Sequence, residues 1–282
     1  VTPDRPQLDL LPAVELVELL LSAEARVVPA VRAVAGAIAA GAELIATRFT
    51  AGGRLLFAGA GTSGRIAAAE AAELPGTFGL DRRRIGWRIA GGSDSTDSDE
   101  DDLAAAERDI AELAATAADV LVAVAASGAT PYTMALARSA RQAGAAVIAV
   151  VTVAGSPLAQ LADVAIAPEP GPEMLRGSSR LTAGTAQKVA LNALSTAAMA
   201  RAGRVHGDLM VDVVPANSKL RQRAAGIVAE IAEVGVDEAA EALRRCGDDA
   251  RAAVLVLAAG LAPDEARRRA AAHRSLREAL QG

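Results

Sequence analysis

Gly59-Ala60-Gly61-Thr62-Ser63-Gly64-Arg65 follows the apolar run Leu55-Leu56-Phe57-Ala58 and leads into an alanine-rich segment. An apolar strand feeding a glycine loop that opens a helix is the elementary βα step of a parallel sheet. It aims backbone N–H groups and the positive helix end at one point, a geometry that suits a phosphate. The same residues satisfy G-x-G-x-x-G through Gly59, Gly61 and Gly64, so a dinucleotide site is the first alternative to weigh. That reading requires a second strand ending in an acid for the ribose, about 20 residues on. Here the helical pattern stops at Leu74-Pro75-Gly76, the next strand-like run, Ile85 to Ala90, ends in Gly91-Gly92, and Asp81 lies in a polar turn. The sequence therefore argues against NAD or FAD, and the hydroxyls of Thr62 and Ser63 read as phosphate partners.

Outward from this loop the chain alternates. Strands are expected at 54–59, 85–90, 119–125, 146–152 and 163–167, with helices at 62–73, 101–115 and 131–143 between them. Strands apolar throughout, such as Val120-Leu121-Val122-Ala123-Val124, belong in a parallel sheet covered on both faces. Residues 13–50 read as two helices, with apolar positions at helical spacing through Val17, Leu20, Leu21, Val31, Val34 and Ile38. Helices from about Gly184 to Arg201 and from Asn217 to about Val234 follow, and the tail from Asp237 carries three short helical patterns. The expected fold is α/β, a doubly wound parallel sheet of flavodoxin-like three-layer type, with N-terminal helices in a first unit, 1–234, and a small helical subdomain, 235–282.

Composition narrows the function classes. The 282 residues carry a net charge of −5 and aromatics make up only 2%, so no basic face for nucleic acid is expected. Cys246 is the single cysteine, so no disulfide can form within the chain, and with only His206 and His273 beside it a transition-metal site is poorly supplied. No apolar run reaches the roughly 18 residues of a spanning helix, and Val1-Thr2-Pro3-Asp4 lacks the basic start of a signal peptide. A cytoplasmic protein without a membrane partner is expected.

A second loop, Ser127-Gly128-Ala129-Thr130-Pro131, again joins a buried strand to a helix, with Pro131 suited to the first helical turn. Ser127 and Thr130 could be ordinary caps. Two hydroxyl-bearing loops at the carboxyl ends of two strands instead favour a shared ligand crevice.

Taken with Gly171-Pro172-Glu173, the run Gly177-Ser178-Ser179-Arg180-Leu181-Thr182-Ala183-Gly184-Thr185-Ala186-Gln187-Lys188 and Asn217-Ser218-Lys219-Leu220, these loops resemble the sugar-isomerase (SIS) fold in its N-acetylmuramic acid 6-phosphate etherase branch. The resemblance implies cleavage of a D-lactyl ether to N-acetylglucosamine 6-phosphate and D-lactate in cell-wall sugar recycling, by a homodimer without metal or redox cofactor. It maps Ala71-Ala72-Glu73-Leu74-Pro75 onto the family motif that supplies the acid for the leaving group. An exposed Glu73 at the end of its helix would face the negative helix terminus, which favours a protonated carboxyl. The second family glutamate maps onto Glu100, with Asp99 and Asp101 as alternatives, after the acidic loop Ser93 to Asp99, whose like charges otherwise read as a solvated loop. Gly61, Thr62, Ser63, Gly64, Arg65, Ser127, Gly128, Thr130, Ser178 and Lys188 are the expected substrate and phosphate contacts. Ala129, Thr182 and Asp208 depart from the residues usual in that branch. Two further readings of the same fold are a non-catalytic sugar-phosphate regulator and an aldose–ketose phosphate isomerase.

Overall fold

A computed structural model describes residues 6–92 and 97–282. The opening Val1-Thr2-Pro3-Asp4 and the Ser93–Thr96 part of the acidic loop lie outside the described residues. Five parallel strands, β1 (Leu55–Gly59), β2 (Ile85–Ile89), β3 (Val120–Val124), β4 (Ala146–Val150) and β5 (Val164–Ile166), are ordered β2-β1-β3-β4-β5. The chain leaves β1 toward one edge and returns at β3 on the other side, so the switch point lies between the carboxyl ends of β1 and β3, where Gly59 is in register with Val124.

Alternate residues of the central strands feed opposite cores, which is why these strands are apolar throughout. Leu55, Phe57, Val122 and Ile148 face α3 (Ala35–Thr50), α4 (Gly61–Phe78) and α8 (Thr182–Arg201). Leu56, Leu121, Val147 and Ala149 face α5 (Leu103–Leu113), α6 (Pro131–Gln142) and the short α7 (Pro157–Leu161). The doubly wound three-layer architecture is as expected. The N-terminal region forms three helices rather than two: α1 (Ala13–Glu24) and α2 (Val27–Ala33) precede α3. Val31 and Ile38 are buried, whereas Val17 and Leu21 stand exposed.

Helix α4 continues through Pro75 instead of stopping before it. The proline forfeits one ladder bond, at roughly 3 kcal/mol. The turn it sits in buries Leu74 and Phe78, each worth about 1.5–3 kcal/mol. Gly79 then closes the helix in the left-handed region, its N–H donating to the Pro75 carbonyl.

A third core unites Val211 and Val213 with α9 (Ser218–Ala232), α10 (Val236–Arg245), α11 (Ala250–Ala259), α12 (Pro263–Ala272) and α13 (Leu276–Gln281). The boundary expected at 234/235 thus falls between α9 and α10, two helices of one core. No single helix among the described residues is long and apolar enough to cross a membrane.

Candidate active site

Helices α4 and α6 both start at the switch point, and neither Ala60 nor Thr130 caps its helix with a side chain. By contrast α5 is capped by Asp102, and the Glu173 carboxylate accepts from the Thr182 and Ala183 N–H groups, each at 3.0 Å, and from the Thr182 hydroxyl at 2.9 Å, at the start of α8. The N-cap residues of α4 and α6 themselves supply no side-chain cap, and two helix amino ends facing one crevice suit a ligand phosphate.

The glycines explain how α4 comes so close. An added Cβ on Gly64 would lie 2.7 Å from the Gly59 carbonyl oxygen, so only glycine lets the helix start directly against the strand end. Gly61 adopts a positive φ of 51°, and a Cβ there would lie 2.6 Å from Glu100 Oε1. The Glu100 carboxylate, carried on the 3-10 turn Asp97–Asp101, thus stands against the glycine loop at the amino end of α4. This brings together the two features that the sequence left on separate segments.

The remaining contacts divide into two groups. Thr62 is half-buried beside Gly184 at the start of α8, Arg65 is exposed one turn into α4, and Ser178 lies in the loop before α8, its Oγ accepting from the Arg180 N–H at 3.4 Å. Ser127 is exposed and accepts from the Ala129 N–H at 3.2 Å, Thr130 is half-buried, and Gly128 packs over Ser156. Ser63 differs from the sequence expectation. Its hydroxyl is buried and donates to Gln187 Oε1 at 3.0 Å, so it ties α4 to α8.

Glu73 and Lys188 form a second group farther along α4. Because α4 runs on to Phe78, Glu73 lies before the last turn, beyond which the helix-end field fades. The helix-terminal environment expected for it is absent; its side chain is 70% exposed and its carboxylate lies 3.6 Å from Lys188 Nζ. Lys188 Nζ also donates to the buried Glu70 at 2.9 Å, and the Ser195 hydroxyl donates to the other Glu70 oxygen. Burial works against the Lys188 charge, but the hydrogen bond and charge of Glu70, with the charge of Glu73, outweigh it and hold the ammonium above its usual range. Twelve residues separate Gly61 from Glu73, about 18 Å along a helix axis. Glu100 and Glu73 of one chain therefore lie toward different ends of α4.

Glu70, Ser195 and Gln187 are polar groups the sequence reading did not single out. The signal present was the spacing of Glu70 and Glu73, three residues apart on one helix face.

Comparison with known proteins identifies the fold and the family. Residues 22–152 match the SIS domain family. Of solved structures, a phosphoheptose isomerase from Neisseria gonorrhoeae superposes with a TM-score of 0.52 at 19% identity, covering 67% of this chain and 100% of that one, a likeness of fold. An N-acetylmuramic acid 6-phosphate etherase from Rubrobacter xylanophilus is 44% identical over 99% of this chain and 94% of its own length. One from Edwardsiella ictaluri is 40% identical with the same coverage. With near-complete coverage at such identity, and with the switch-point loops in place, this chain belongs to the N-acetylmuramic acid 6-phosphate etherase family.

Proposed function

We propose that this chain is a lyase-type etherase that converts N-acetylmuramic acid 6-phosphate to N-acetylglucosamine 6-phosphate and D-lactate, a step in the recycling of cell-wall sugar in the cytoplasm. The observation that carries the reading is the Glu100 carboxylate standing against Gly61 where two helices open without side-chain caps. The phosphate is held by backbone N–H groups of the two loops and by the hydroxyls of Thr62, Ser127 and Thr130. A carboxylate base takes the C2 proton of the open-chain sugar, the C3–O bond breaks, and the departing lactate oxygen takes a proton from a second carboxyl. Water then adds to the C2=C3 double bond, its hydroxyl going to C3 and a proton to C2. Glu100 is the base nearest the loop, and Glu73 is the acid for lactate and the activator of water. No metal or redox group enters these steps as written.

The substrate's C3 lies five bonds from phosphorus, at most about 7 Å away with bonds of roughly 1.5 Å. A Glu73 about 18 Å along α4 cannot reach a sugar held at its own loop. The active form in this proposal is therefore a homodimer in which each site combines Glu100 of one copy with Glu73 of the other. Support comes from the exposed seam Val14, Val17 and Leu21 on α1, which has the spacing of a helix-pairing stripe and suits a second copy. The chain is organised as a sugar-phosphate unit followed by a helical unit that begins near Val211, where the third core starts.

Two experiments test the reading. Turnover in D2O is expected to place deuterium at C2 of the product; a product without it contradicts elimination and hydration. Mixing Glu73→Gln with Glu100→Gln chains is expected to restore about a quarter of wild-type activity, since half of the dimers then hold one intact site. Inactive mixtures under conditions where subunits exchange would contradict the shared site.

A further inference from the structure

At the amino end of the sheet, roughly 16 Å of strand away from the glycine loop, a cavity of about 470 Å³ opens between the sheet and the tail helices. It is lined by Phe49 and Thr50 at the end of α3, by Arg84 just before β2, and by Arg204 and Arg251. Asp212 answers two of these cations: Arg251 Nε lies 2.6 Å from its Oδ1 and Arg204 Nη1 3.2 Å from its Oδ2. Arg274, also on the lining, is paired with Glu278 at 3.2 Å.

Among the described residues Arg84 has no such ion-pair partner. Its guanidinium stacks 3.7 Å over the Phe49 ring and donates to the Phe49 and Gly53 carbonyls, groups without net charge, and its buried Nε has no hydrogen-bond partner. Burial and the nearby charge of Arg204 push the Arg84 pKa down, against a smaller upward pull from Asp81, which is itself paired with Arg83; Arg84 and Arg204 both line the cavity, and no carboxylate is among its lining residues. Three guanidinium groups against one carboxylate leave an excess of two positive charges in a partly buried cleft. Like charges so placed are costly unless an anion joins them. A purely structural role is available to each group, Arg251 and Asp212 docking the tail and Arg84 tying the end of α3 to the turn before β2, but it leaves the excess positive charge unbalanced.

We propose that this cleft is a second anion site, distinct from the candidate active site, for a small molecule bearing a phosphate-class dianion seated between Arg84 and Arg204. The volume lies in the range of small-ligand sites, and guanidinium groups are suited to paired contacts with phosphate oxygens.

Equilibrium dialysis of the full chain with radiolabelled inorganic phosphate, and separately with glucosamine 6-phosphate, tests this. Gly61→Val fills the glycine loop, so binding that survives it reports on the cleft. The Gly61→Val chain is expected to bind one phosphate. Adding Arg84→Gln, or adding Thr50→Glu, which places a carboxylate at the cleft and keeps every arginine contact, is expected to weaken that binding at least about tenfold, with the helical circular dichroism retained. Tighter binding of glucosamine 6-phosphate than of phosphate would identify a sugar phosphate as the class, and equal binding a free anion; each is consistent with the site. The proposal is overturned if the Gly61→Val chain binds neither probe at millimolar concentration, or if binding is unchanged by both cleft substitutions.

Discussion

Glu70 is the buried residue on which the second polar group of α4 depends. Its carboxylate holds Lys188 and Ser195, residues 118 and 125 positions away in sequence. Glu70→Gln is expected to cost about 1–3 kcal/mol through a weakened charge-assisted bond, read in denaturant melts. It is also expected to lower the Lys188 pKa, because desolvation then acts with less opposition; a 15N-lysine titration that shows no downward shift would contradict this. Gly61→Ala is expected to abolish phosphosugar binding at the glycine loop while the chain stays folded, since its Cβ meets Glu100 in a backbone region that alanine adopts poorly; an isotherm unchanged in both affinity and number of sites would count against the loop. Glu73, Glu100 and the loop residues could be nominated from the sequence because short motifs carry them. Glu70 was not, because an acid in an alanine-rich helix reads as a solvated position until its partners on α8 are known. The Ser63 hydrogen bond was hidden for the same reason: its hydroxyl has no visible partner until Gln187 is placed beside it.

The strands and the helices between them were legible as elements, since apolar runs bounded by glycine loops have few alternatives. Their ends were less so. Pro75 reads as a stop, yet tertiary burial of Leu74 and Phe78 carries α4 past it and displaces Glu73 from the helix end. The junction before β3 depends on Asp119, which is buried, accepts from the Arg54 and Thr116 N–H groups at 2.8 Å each, and pairs with Arg54 Nη2 at 2.7 Å. Burial raises the Asp119 pKa, but these hydrogen bonds outweigh it and hold the carboxyl below its ordinary value of 3.8. A folded-state pKa below the unfolded one gives stability that is present above the unfolded value and lost as pH falls through the folded one. Asp119→Asn is therefore expected to be less stable than wild type at pH 7, with the gap narrowing as pH drops below 3.8. A gap that stays constant in urea melts across that range would contradict the assignment.

For the whole molecule, the sheet order follows from the alternation of elements, whereas the association of α9 with the tail and the proposed pairing of two chains do not, because both depend on faces that periodicity leaves unassigned. Val17 and Leu21 illustrate the point: they share the helical spacing of core residues, yet are 51% and 58% exposed. Val17→Glu with Leu21→Glu is expected to convert a dimer to monomers in sedimentation velocity and to suppress turnover; an active, dimeric double variant would remove the seam from the account. The most direct measurement is D-lactate release from N-acetylmuramic acid 6-phosphate by the wild-type chain and by Glu73→Gln. Lactate is expected from the wild type and at least about a hundredfold less from the variant, with phosphosugar binding retained. Binding without lactate from the wild type, or undiminished release from Glu73→Gln, would contradict the etherase reading.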